Sequence, residues 1–89
     1  MFKRKRLQAI HDDIKAKEAE LDELYAKYNY YVKLAQRLKE QSEIESDPEL
    51  IKIFATESTI AYEFARKYCH LAKDAHIALD EKRQLLSQI

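Results

Sequence analysis

Between residues 7 and 38, apolar side chains recur at alternating spacings of three and four. Leu7, Ile14, Leu21, Tyr28 and Ala35 hold one heptad position; Ile10, Leu24, Tyr31 and Leu38 hold another, with Lys17 the single interruption. This period lays every member along one stripe of an α-helix, the pattern of coiled-coil packing. Tyr25, Val32 and Leu34 widen the stripe at mid-helix, and a stripe this wide touches more than one partner helix. Beyond residue 48 the apolar face is broader. One stripe reads Leu50, Phe54, Ala61, Phe64, Tyr68, Leu71, Ala75, Ala78 and Leu85. A second, beside it, adds Ala65, Ala72, Leu79 and Leu86, and Ile53 and Ile60 extend the face on another flank. Small residues recur between large ones, which lets neighbouring helices approach closely.

The two patterns meet at Ser46-Asp47-Pro48-Glu49, the one place that carries a helix breaker. Proline suits the first turn of a helix and drives the residue before it out of the α region. Asp47 reads as an N-cap, and Ser46 with Glu49 reads as a capping box; both start a helix here. Glu43, Glu45 and Asp47 oppose the dipole at the end of a first helix and favour it at the start of a second. The spacing therefore predicts helix 1 over about 3–44, a turn at about 45–47 and helix 2 over about 48–87. Each helix is roughly 60 Å long at 1.5 Å per residue. The chain reads as one domain, 1–89.

So short a connection forces the helices antiparallel. Facing positions then have residue numbers that add to about 93. Tyr28 faces Ala65, Leu21 faces Ala72, Ile14 faces Leu79, and Tyr31 lies near Ala61 and Tyr62. Large residues meet small ones, as dense packing requires. The same register places Glu57 near Arg37, Lys73 near Glu20, and Lys82 and Arg83 near Asp12 and Asp13. A lone hairpin leaves its wide apolar faces partly wet, more than monomers usually tolerate. The expected fold is all-α, a hairpin of two long antiparallel helices that dimerises with C2 symmetry into a four-helix bundle.

Composition narrows the classes further. The 89 residues include no Gly, no Trp, one Pro and one Cys. Without Gly, tight hairpins and phosphate-cradling loops are nearly excluded, and an all-β fold is improbable. The 16 basic and 16 acidic side chains cancel, so global charge points to no polyanion coat. A single cysteine, Cys69, forms no internal disulfide and fits a reduced, cytoplasmic compartment. No apolar run reaches the length of a membrane span, and no apolar core follows the basic residues at 3–6 as in a signal peptide.

Candidate chemistry is sparse. His11, His70, His76 and Cys69 lack the spacing of three or four that helix-borne metal pairs prefer. Glu18, Glu20, Asp22 and Glu23 occupy polar helix positions, and no Glu-x-x-His is present. No catalytic residue, metal site or cofactor is expected. Tyr25, Tyr28, Tyr31, Val32 and Leu34, together with Ile53, Ile60, Phe64 and Tyr68, read as a protein interface, since tyrosine is a frequent hot-spot residue. Lys3, Arg4, Lys5 and Arg6, with Lys27, Lys33 and Arg37, are the residues available for nucleic-acid phosphates. The leading expectation is a non-enzymatic interaction protein, a homodimer that acts as a small regulator or inhibitor of a larger protein. The alternatives are a nucleic-acid-binding hairpin dimer, an analogy of architecture, and a structural component of an assembly.

Overall fold

A computed structural model describes residues 2–88, with side chains from residue 4 onward. It contains two α-helices in contact, α1 (Phe2–Ile44) and α2 (Pro48–Ser87), and no strand among the described residues. The hairpin is a long ribbon, 70 × 14 × 12 Å. Its radius of gyration is 20.0 Å, where a compact chain of this length has about 12 Å. The shape leaves no room for a central core; all tertiary burial lies along one line between two helices.

Among the described residues no backbone takes positive φ, the turn included. Asp47 adopts an extended conformation at the N-cap of α2, and its Oδ1 accepts the Glu49 N–H at 3.0 Å. Pro48 occupies the first turn of α2. Glu45, unfavourable for the dipole of α1, has a local role: its Oε1 accepts the N–H groups of Ser46 and Asp47 at 3.1 and 3.2 Å. These donors lie in the non-helical turn and need a partner.

All ten seam positions of α1, from Leu7 to Leu38, are buried or half-buried, Lys17 included. On α2 the packing line differs from the expected stripes. It runs through Ile51, Phe54, Ser58, Ala61, Ala65, Tyr68, Ala72, Ala75, Leu79, Lys82 and Leu86, at unbroken spacings of three and four. Leu50, Phe64, Leu71 and Leu85, read from the sequence as members of the main stripe, stand one residue to the side and are exposed.

The register follows the expected numbering. Ser58 Oγ donates to the Ala35 carbonyl at 2.9 Å, and Ile14, Leu21, Ala72, Ala75 and Leu79 form the buried cluster. Tyr31 shares a groove with Ala61, as expected, but not with Tyr62, which lines the opposite side; its ring stacks on Phe64 and Tyr68. Side chains on a helix lean toward its N-terminus, so Tyr31 reaches the level of residues one turn earlier on α1.

Two ion pairs close the open end of the hairpin: Lys82 with Asp13, and Arg83 Nη2 with Glu18 Oε1 at 3.3 Å. Asp12 and Glu20 do not take the cross-helix partners expected of them. Asp12 accepts from Gln8 and Glu20 pairs with Lys17, because partners one turn away on the same helix are nearer. Among the described residues, Glu57 and Arg37 form no ion pair.

Candidate functional site

A two-helix ribbon has two edges and two broad sides, and the heptad positions decide what each side carries. On one side lie the residues that precede the packing line of α2 by one: Leu50, Ile53, Glu57, Ile60, Phe64, Lys67, Leu71, Asp74, Ala78, Glu81 and Leu85; beyond Leu71 this side turns polar, where Asp74 shares a groove with Lys17 and Glu20. Ile53, Ile60, Phe64 and Leu71 are 40–48% exposed, although they are among the largest apolar side chains of α2. Across from them α1 contributes Leu24, Tyr31, Leu34 and Leu38, all half-buried. A shallow groove of about 300 Å³ runs between the helices here, lined by Tyr31, Leu34, Leu38, Ile60 and Phe64 with Glu57 at its edge.

Aromatic contacts fix the floor of this side. The Tyr31 ring stacks on Phe64 at 5.2 Å and on Tyr68 at 5.5 Å, and Tyr30 meets Tyr31 edge-on at 5.1 Å. Such pairs contribute about 0.5–1.5 kcal/mol each beyond the area they bury. Lys27 Nζ lies 5.6 Å from the Tyr68 ring centre and 3.5 Å from Glu23 Oε1. The cluster is therefore a preformed surface whose rings hold one another in place.

The opposite side has a different character. Its grooves are lined by Tyr28, Val32, Tyr62 and Cys69 together with Arg66, His70 and Lys73, and farther along by Glu18, Asp22, Tyr25, His76 and Arg83. The nine interface candidates are thus split. Tyr31, Leu34, Ile53, Ile60 and Phe64 share the apolar side, with Tyr68 beneath them, whereas Tyr25, Tyr28 and Val32 lie on the charged side. Leu71 belongs with the first group and was not singled out from the sequence as an interface residue. Its spacing of seven from Phe64 was the available signal.

The basic candidates are not brought together. Arg4, Lys5 and Arg6 are exposed at the open end of the hairpin, and the side chain of Lys3 lies outside the described residues. Lys27 is roughly 30 Å from Arg6 along α1 at 1.5 Å per residue, and it already has partners within the hairpin. Lys33 and Arg37 are exposed; Lys33 lies on the outer surface of α1, away from the seam.

Cys69 is half-buried and unpaired, and His76 Nε2 stands 3.5 Å from Asp80. Among the described residues no three His, Cys, Asp or Glu side chains converge as metal ligands. Among the described residues, the one titration displaced from its ordinary range is that of Asp13. The hydrogen bond from Lys82, aided by the charges of Lys82 and Lys17, holds this carboxyl below the usual carboxylate value against partial desolvation. No helix among the described residues is long and apolar enough to cross a membrane.

Compared with known proteins, the chain matches no family model, no curated protein and no solved structure. What the fold and the geometry define is a class: an all-α helical hairpin with an exposed apolar patch on one broad side, around Ile60 and Phe64.

Proposed function

We propose that the hairpin is a non-enzymatic protein–protein interaction module that works through its apolar, tyrosine-floored side, in the manner of a small regulator or inhibitor of a larger protein. The observation that carries this reading is the set Ile53, Ile60, Phe64 and Leu71, 40–48% exposed on one side beside the stacked Tyr31. Full burial of such a side chain is worth about 1.5–3 kcal/mol, and with 40–48% of each still exposed somewhat under half of that remains, so several together supply a driving force for association. Aromatic anchors at the centre and charge at the margin are the usual division of labour at an interface. Self-association into a four-helix bundle and capture of a different protein use the same face.

The test compares what the chain retains from its native cell with and without that face. The wild type and a Tyr62→Glu control on the opposite side should retain the same partners, and Ile60→Glu should lose them while keeping its helical circular dichroism. Identical retention by all three chains would overturn the reading.

A nucleic-acid reading draws on one observation, the exposure of Arg4, Lys5 and Arg6 at the open end. It predicts affinity for mixed RNA and DNA that falls with salt and disappears when these residues become alanine. A gel-shift titration at low salt that shows no binding at tens of micromolar excludes it.

A further inference from the structure

We infer that the apolar side is an interface with a second copy of this chain, in which α2 packs antiparallel on α2 of that copy about a two-fold axis between Ile60 and Phe64. This rests on the interaction reading of the same face and names its occupant.

The exposed stripe of α2 is self-complementary when reversed. It reads Ile53, Glu57, Ile60, Phe64, Lys67, Leu71, with spacings of four, three, four, three and four. Turned end for end onto itself, Ile60 of one copy meets Phe64 of the second, Glu57 meets Lys67, and Ile53 meets Leu71. Each contact occurs twice, as a two-fold interface requires. Members of the two alternating spacings meet in pairs, the layer pattern of antiparallel coiled coils. The register is discriminating. A shift of one heptad in one direction puts Glu57 opposite Ile60, and in the other it puts Glu57 opposite Asp74. The match ends at Leu50, which lies opposite Asp74.

Two further observations point the same way. Among the described residues neither Glu57 nor Lys67 has an ion-pair partner within the hairpin, so both charges are available to a second copy. The hairpin also exposes 7146 Å², against about 5,500 Å² for a compact monomer of 10.6 kDa. The excess follows from the 70 × 14 × 12 Å shape, and it leaves room for the roughly 800 Å² that each partner contributes to a standard interface. Leu34 and Leu38 of α1 flank the α2 stripe and widen the contact.

The experiment is a charge exchange read by sedimentation equilibrium on the full chain. Residues 57 and 67 are roughly 15 Å apart on one helix, so they do not compensate each other within a chain. E57K and K67E should each weaken dimerisation about tenfold by setting like charges opposite each other. The double variant E57K/K67E should recover dimerisation to within about threefold of the wild type. Circular dichroism of all three should match the wild type, since both positions are exposed. Recovery in the double variant supports the inference. A dimer in which the two effects simply add overturns this register and leaves the interaction reading standing. A wild-type chain that stays monomeric at tens of micromolar overturns the second copy as occupant, while retention of a different partner lost in Ile60→Glu would keep the interaction reading alive.

Discussion

The two stripes of α2, one residue apart, have the same period and opposite contents. The inner stripe carries alanines and a serine at its centre: Ala61, Ala65 and Ala72 are 2–4% exposed and Ser58 is buried. The outer stripe carries Ile53, Ile60, Phe64 and Leu71, all substantially exposed. Hydrophobicity alone would have reversed this order. Contact between α1 and α2 is made by close approach over small residues, where α1 supplies most of the bulk through Ile14, Leu21, Tyr28 and Tyr31. Leu79, Phe54 and Tyr68 are large side chains of α2 that serve the hairpin, and Phe64 gives one ring face to Tyr31 while it remains 42% exposed. At mid-helix, residues 58–65, the small side chains meet α1, and Ile60 and Phe64 beside them stay 46% and 42% exposed.

The largest effect should come from the most deeply buried large side chain of the inner stripe. Leu79 is 1% exposed, and Leu79→Ala should cost about 2–5 kcal/mol in urea unfolding, by lost transfer and a residual cavity. A loss under about 1 kcal/mol would mean that the seam is not the packing line.

Next is Ala65→Leu, which forces bulk into the close approach and should cost about 1–3 kcal/mol. The matched change on the outer stripe, Ile60→Ala, should leave the helical signal unchanged and weaken association instead. Equal loss of stability from both would erase the distinction between the stripes.

Ser58→Ala removes the cross-helix bond to the Ala35 carbonyl while keeping a small side chain, and should cost about 0.5–1.5 kcal/mol. The smallest effect concerns Asp13. Its carboxyl titrates lower in the folded chain than in the unfolded one, so its contribution is complete above the unfolded value, about 3.9, and is lost as pH falls through the lower folded value. Thermal unfolding followed between pH 5 and 2 should show a slightly smaller decline in Asp13→Asn than in the wild type.

The α1 seam and the turn were legible because each signal was local and unambiguous. Apolar residues at heptad spacing marked the first, and Asp47-Pro48 marked the second. The seam of α2 was obscured for a physical reason. Alanine is weakly hydrophobic, and two of its seam positions are polar: Ser58, whose hydroxyl finds a carbonyl, and Lys82, whose stem lies on the seam while its ammonium reaches Asp13. The stronger apolar stripe beside it drew Phe64 and Leu71 into the expected core. The two sides of the ribbon were likewise merged in the list of interface residues. Which flank of the α1 seam joins which flank of α2 depends on the antiparallel pairing, and Tyr25, Tyr28 and Val32 fall on the other side from Phe64.

The central claim is that the outer stripe of α2 packs on a second copy of this chain. Sedimentation equilibrium of the wild type and of Ile60→Glu, with circular dichroism on the same samples, tests it most directly. The account predicts a wild-type mass of twice the chain's 10.6 kDa and a helical Ile60→Glu variant at the single-chain mass. A fully helical wild type that remains at 10.6 kDa up to tens of micromolar, and an Ile60→Glu chain that cannot be told from it, would contradict the claim.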